Sequence, residues 1–157
     1  MMIMAIQKDG KNAFVDAKYA RRDTGYHGDI SEIMGKGICP FCQEHFRWHK
    51  KPIIYEENGW FITESSWPYE NTEHHLLIIP HKHIVDLKGL TGEDFETAKK
   101  LAELVIKERN ILGGGLTLRF GDTRYTGATV THLHFHLISP TKHSDKDAAE
   151  VVNFPIG

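Results

Sequence analysis

Apolar and polar positions along this chain follow two periods, and each period predicts a kind of element. "PIIYEE" (52–57) and "WFITE" (60–64) are rich in β-branched and aromatic side chains, and Asn58–Gly59 between them is a strong signal for a two-residue hairpin. "HHLLIIP" (74–80) is a continuous apolar run stopped by Pro80, the pattern of a central strand buried on both faces. Over 91–109 the spacing changes: Phe95, Ala98, Ala102, Val105 and Ile106 recur at helical intervals. Thr91 can cap that helix with Asp94 three residues on, acidic residues fill the first turn, and "NILGGG" ends it. "LTLRF" (116–120) and "VTHLHFHLI" (130–138) then read as two further strands, the last closed by Pro140.

The last strand carries His132, His134 and His136 at every second position of "THLHFHLIS" (131–139). On a strand these share one face, while Leu133, Phe135 and Leu137 share the other and pack on the core. At a rise of about 3.3 Å per residue, neighbouring histidines stand about 6.6 Å apart and the outer two about 13 Å apart. Two adjacent members can reach one metal ion; all three cannot. A single histidine here would be an ordinary polar residue on a wet strand face, but three in register call for a site.

Length and composition narrow the rest. The 157 residues fit one compact domain, and 40% hydrophobic with 25% charged residues is ordinary for a soluble globular chain. With 19 basic against 21 acidic side chains the net charge is -2, which gives no hint of a nucleic-acid surface. "HFRWHKK" (45–51) is the one dense basic patch; an aromatic among cations can touch single-stranded nucleic acid, and a solvated surface turn is the plainer reading. "MMIMAIQKDGK" lacks the features of a secretory signal, and no apolar run approaches the roughly 20 residues that span a bilayer. The expectation is a soluble, cytoplasmic protein with no membrane partner.

Cys39 and Cys42, in "CPFC", are the only cysteines. In a reducing compartment their spacing favours a metal site or a redox pair over a structural disulfide. A redox pair expects a preceding strand, and residues 1–37 read instead as an irregular polar lead-in. Zinc needs two more ligands, and the chain has eleven histidines. Three alternatives stand: a local set with His45 and His49, a set completed by histidines of later strands, and plain reduced thiols.

The run from His132 to Ile138 resembles the histidine triad (HIT) motif, in which three histidines alternate with apolar residues. "CPFC" and "HHLLIIPHKHI" (74–84) resemble two further elements of the same superfamily, in the same order, over about residues 38–140. The resemblance implies an α+β fold: an antiparallel sheet of about five strands with one long helix packed against it. It divides the chain into a lead-in (1–37), a HIT domain (38–140) and a tail (141–157). It also implies a nucleotidyl hydrolase or transferase that acts on a small-molecule nucleotide and forms a homodimer.

Carried over residue by residue, the resemblance makes His134 the nucleophile that forms a covalent nucleotidyl-histidine, and His136 the histidine that contacts phosphate. "GATV" matches the family's Gly-Gln-Ser-Val, which places the Thr129 hydroxyl near the phosphate. A structural Zn²⁺ would sit on Cys39, Cys42, His83 and His132. His75 aligns with a histidine near the triad, and an ordinary half-buried strand histidine is the competing reading. His136, where transferases carry glutamine, tilts the activity toward hydrolysis of a nucleoside phosphoramidate or a dinucleoside polyphosphate. A transferase or phosphorylase and a zinc-stabilised nucleotide-binding protein with little turnover remain as alternatives. The pattern departs at Ala128, at Arg119 in "RFG" where asparagine is expected, and in the nucleoside pocket. Arg119 can hold phosphate or be a surface arginine; Trp60, Phe61 and Ile62 can line a base pocket or be core. His27, His74, His81 and His143 are read as surface residues.

Overall fold

The computed structural model describes residues 15, 32, 33 and 35–157, with Arg47 and Trp48 described by backbone alone. Most of the 1–37 lead-in, His27 included, lies outside the described residues. Of that stretch, Val15 and Ile33 are buried, and Val15 forms an antiparallel bridge to Val130.

The hairpin forms as its sequence predicts. Strands β1 (Ile53–Glu57) and β2 (Trp60–Glu64) pair across Asn58 and Gly59, whose φ angles of 49° and 76° are the left-handed pair that a right-twisted two-residue turn needs. β3 (Thr72–Pro80), β4 (Gly115–Leu118) and β5 (Phe135–Pro140) complete one antiparallel sheet in the order β1-β2-β3-β5-β4. The helix α1 (Gly92–Glu108) starts at a full capping box, in which Asp94 N–H donates to the Thr91 hydroxyl and Thr91 N–H to the Asp94 carboxylate. The same carboxylate accepts from Trp60 Nε1–H at 2.8 Å, which fixes the helix start against β2.

The two faces of the sheet differ. On one, α1 buries Ala98, Leu101, Ala102 and Val105 against Trp60, Ile62, Leu76, Ile78, Phe135 and Leu137. On the other, Phe61, Leu77 and Ile79 form a smaller cluster joined by Phe41 and Phe46. Trp60, Phe61 and Ile62 are 2%, 0% and 0% exposed, so the base-pocket expectation for them is corrected: the sheet is covered on both faces, and a β2 residue is core whichever way it points.

A second correction concerns the histidine run. The β5 ladder begins at Phe135, so His132 and His134 precede the strand instead of sharing a strand face with His136. The chain is diverted there by two bonds to the end of β3 and the segment after it, from Leu133 N–H to the Ile84 carbonyl at 2.7 Å and between His132 Nε2 and the Pro80 carbonyl at 2.7 Å. β4 likewise stops at Leu118, leaving Arg119 and Phe120 outside the ladder. A short helix α2 (Thr123–Thr126), closed by Gly127 at φ 67°, leads to Thr129. Among the described residues, no helix is long and apolar enough to cross a membrane.

Candidate active site and metal centre

The diverted segment delivers His132 to the "CPFC" turn. Cys39, Cys42, His83 and His132 each present a ligand atom, and these atoms lie within 4.8 Å of one another. His132 Nδ1 is 3.4 Å from Cys39 Sγ, 3.7 Å from Cys42 Sγ and 3.2 Å from His83 Nδ1, and His83 Nδ1 is 3.4 Å from Cys42 Sγ. A tetrahedron with Zn–S of about 2.3 Å and Zn–N of about 2.05 Å has S···N edges of about 3.6 Å and an N···N edge of about 3.3 Å. The four residues therefore fit a tetrahedral cation, and the local alternative using His45 and His49 is not the set brought together. Donation from His132 Nε2–H to the Pro80 carbonyl leaves Nδ1 with its lone pair toward the cysteines, the usual way an outer partner orients a ligand. Without a cation the cluster is electrically neutral: burial pushes the Cys39 thiol up to about 12 and holds His132 down at about 3.

His134 and His136 face a cleft on the side of the sheet away from α1. It is also lined by Thr129, His75 and Arg119, so five of the expected site residues meet there. His134 Nδ1–H donates to the carbonyl of His132 at 2.8 Å, which places its remaining lone pair on Nε2. Phe41, from inside the "CPFC" turn, sets its ring edge-on to His134 at 4.9 Å and 87°, so the turn both presents thiols and walls the triad.

His75 and His136 are diagonal neighbours on β3 and β5, where Leu77 pairs with His136 and His75 with Ile138. Their rings bond directly, His75 Nε2 to His136 Nδ1 at 2.9 Å, and Tyr69 N–H donates to His75 Nδ1 at 3.1 Å. Since Nδ1 of His75 accepts, the neutral ring carries its proton on Nε2 and gives it to His136 Nδ1. Neutral His136 must then carry its own proton on Nε2. His75 is thus a partner of the triad and not an ordinary strand histidine. Burial lowers His134 to about 4 and His136 well below the usual histidine range; the charge of Arg119 works in the same direction on both.

Several lining residues were not anticipated. His49 and Lys50 belong to the stretch read as a solvated turn, yet both line the cleft, with His49 Nε2 3.0 Å from the Thr63 hydroxyl. Ser65, Ser66, Trp67 and Tyr69 follow β2, and Pro155 comes from the tail. The aromatic–proline stretch "SSWPYE" was a visible signal for this wall; nothing local announced Pro155. His74, His81 and His143, read as surface residues, are half-buried: His81 bonds Glu56 at 2.8 Å and His143 lies 3.4 Å from Glu150.

Comparison with known proteins agrees with this geometry. Residues 39–151 match the family model described as scavenger mRNA decapping enzyme C-term binding. A bis(5'-adenosyl)-triphosphatase from Dictyostelium discoideum is 28% identical over 109 residues, covering 64% of this chain and 72% of that protein. An adenosine 5'-monophosphoramidase HINT3 from Danio rerio is 35% identical over 71 residues, 43% of each protein. Among solved structures, a HIT family hydrolase from Clostridium thermocellum, 28% identical, superposes with a TM-score of 0.54 over 69% of this chain and 96% of that one. With its ordered motifs converging on one cleft and a family match from 39 to 151, the chain belongs to the scavenger mRNA decapping enzyme C-terminal family of the histidine triad superfamily.

Proposed function

We propose that the protein is a nucleotide phosphohydrolase working through a covalent nucleotidyl-histidine on His134. The observation that carries this reading is the bond from His134 Nδ1–H to the His132 carbonyl, which leaves Nε2 as a lone pair on the cleft. Burial keeps that imidazole neutral and therefore nucleophilic at neutral pH. Nε2 attacks the α-phosphorus, the bond from phosphorus to the leaving oxygen breaks, and its electron pair departs with the leaving group. Water then attacks the phosphorus, the P–N bond breaks, Nε2 recovers its lone pair, and the proton released by water passes to solvent. His136 Nε2–H, Arg119 and the Thr129 hydroxyl supply donors for the non-bridging oxygens.

The cleft favours a dinucleoside polyphosphate over a phosphoramidate. Arg119 and Lys50 both line it, and no carboxylate does among the described residues. An amine leaving group must take up a proton, and the buried neutral histidines hold no spare one; a nucleoside polyphosphate leaves as a stable anion. The names of the Dictyostelium and Danio relatives cover both chemistries, so the decisive comparison is direct. Diadenosine triphosphate is expected to be cleaved with the higher kcat/KM, and brief incubation is expected to leave one AMP moiety on His134 by mass spectrometry. Turnover of neither substrate, or an adduct on another residue, would sink the proposal.

Zn²⁺ on Cys39, Cys42, His83 and His132 would be structural: four protein ligands close the coordination sphere, leaving no position for a reacting water. One zinc per chain by elemental analysis is the expected result. The homodimer implied by the family resemblance is supported by the edge strand β4, beside which Leu112, Leu116 and Phe120 are 101%, 45% and 53% exposed. Light scattering is expected to give twice the chain mass, and the chain mass for Leu112→Glu combined with Leu116→Glu.

A further inference from the structure

The segment after β5 returns across the sheet to the catalytic cleft. Thr141 N–H donates to the Asn71 carbonyl and Glu150 N–H to the Thr141 carbonyl, both at 2.8 Å, and Asn71 Nδ2 donates to the Val151 carbonyl at 3.0 Å. These bonds lay residues 151–157 beside His136. The Phe154 ring meets His136 at 5.0 Å and 75° and Tyr69 at 5.9 Å. The guanidinium carbon of Arg119 sits 3.8 Å from the Phe154 ring centroid. Arg119 donates to the Pro155 carbonyl from Nε at 2.9 Å and from Nη2 at 2.5 Å, and from Nη2 to the Tyr69 hydroxyl at 3.1 Å. At the far end, a Cβ at Gly127 would come within 2.4 Å of the Gly157 carbonyl oxygen, so the segment rests on bare backbone two residues before Thr129.

An arginine on a strand end normally samples many rotamers, and a phosphate that recruits it must order it. Here one face and one edge of the planar guanidinium are already engaged by neighbours that are not substrate. The fork of five donors is planar, so fixing Nε and Nη2 also fixes the direction of Nη1. Among the described residues, none of those that hold Arg119 is a carboxylate, and its positive charge therefore stays available to a phosphate at the triad. We propose that residues 151–157 act as a positioning strap for phosphate binding: Phe154 stacks on Arg119 and the Pro155 carbonyl orients it, holding the guanidinium ready beside His134 and His136. This rests on the reading of the triad as a phosphate site. Phe154 and Pro155 are positioning residues that act through Arg119.

The test is a double-mutant cycle on the zinc-replete full chain, with AMP as the probe in calorimetric titration. Phe154→Ala is expected to weaken AMP binding about tenfold when Arg119 is present and less than about twofold when Arg119→Ala is already in place. Phe154→Tyr is expected to restore binding, and thermal melting to confirm that each variant is folded. With diadenosine triphosphate, Phe154→Ala is expected to lower kcat/KM about tenfold when Arg119 is present and less than about twofold when Arg119→Ala is already in place. An equal loss in the Arg119→Ala background, or tighter binding in Phe154→Ala, would overturn the proposal; the latter would mean that the strap occludes the cleft.

A ligand-free readout separates the two levels of inference. The Arg119 Nε–H resonance is expected upfield and slow to exchange, with both features lost in Phe154→Ala and kept in His134→Ala. If wild type shows that signature but binds no AMP, the phosphate reading fails and takes the strap's purpose with it. If AMP binds and the signature is insensitive to Phe154, the strap alone fails.

Discussion

His132 and His136 stand four residues apart in one alternating run, both buried, and they end up with opposite chemistry. For His132 a carbonyl takes Nε2–H, leaving the Nδ1 lone pair among thiols and a second imidazole. For His136 an imidazole donates to Nδ1, so the proton sits on Nε2 and the ring becomes a donor to the cleft. His134 between them has the third arrangement, with Nδ1–H on a carbonyl and a bare Nε2. One residue type thus yields a ring turned to the cysteines, a ring with a bare nitrogen and a ring that donates, and the selection is made by which nitrogen a neighbour occupies; in the proposed function these are the zinc ligand, the nucleophile and the phosphate donor. The Cys39–Cys42–His83–His132 half is closed by the fold; the His136 half lines the cleft and is finished by a segment far along the chain.

Separating those halves by mutation should give effects of different kinds. His134→Ala is expected to lower kcat by on the order of 10³ or more with little change in melting temperature, because a partly buried ring at the cleft wall is lost and the sheet core is untouched. His132→Ala or Cys39→Ser is expected to cost about 4 kcal/mol of stability in urea unfolding with zinc present. Activity per folded molecule should then fall less than tenfold, since the carbonyl that orients His134 survives in His132→Ala. Loss of turnover matching that of His134→Ala, with the fold intact, would mean that the metal takes part in the chemistry and would break the comparison.

The relay behind His136 should show an intermediate effect. His75→Leu removes the donor to Nδ1 and frees His136 to change tautomer, so kcat is expected to fall about tenfold to a hundredfold, the worth of one hydrogen bond to a charged group. His75→Gln keeps a donor and should lie within a few-fold of wild type. Acid pH probes the same ring. Burial lowers His136 in the folded state, so between its folded pKa and the unfolded value near 6.5 the unfolded chain binds more protons. Stability from this group is present above pH 6.5 and is lost as pH falls toward the folded pKa. Metal-free wild type should therefore lose more unfolding free energy between pH 7.5 and 5.5 than His136→Gln does, by chemical denaturation. An equal loss would show the ring to be hydrated.

Much of this was legible in the sequence because it is encoded locally. Asn58–Gly59 needs no partner to specify a turn, Thr91 and Asp94 specify a helix start within one turn, and the ordered cysteine and histidine motifs point to one cleft. The run "THLHFHLIS" has the period of a strand throughout, but period alone does not say where a ladder begins; Pro80 and Ile84 decide that, some fifty residues earlier. Trp60, Phe61 and Ile62 were ambiguous because alternation separates two faces and cannot say that both are covered. Arg119 meeting Pro155 leaves no trace in spacing, and neither does Lys50 reaching the cleft from a stretch that reads as a polar turn.

The smallest effect calibrates the others. Thr91→Ala removes one half of the capping box at the start of α1, on the face of the sheet away from the cleft. Its expected cost is about 1 kcal/mol of stability, the usual worth of a threonine N-cap. The Trp60–Asp94 bond should survive, because Asp94 keeps its place in the first turn and its second acceptor. Zinc content and kcat are then expected to match wild type within error, with the loss seen only in the unfolding midpoint. If this substitution changed turnover as well, general loosening of the fold would reach the cleft. The stability cost of the zinc-ligand variants could then no longer be read apart from their effect on catalysis, and the separation of the two halves would have to be re-established at matched stability.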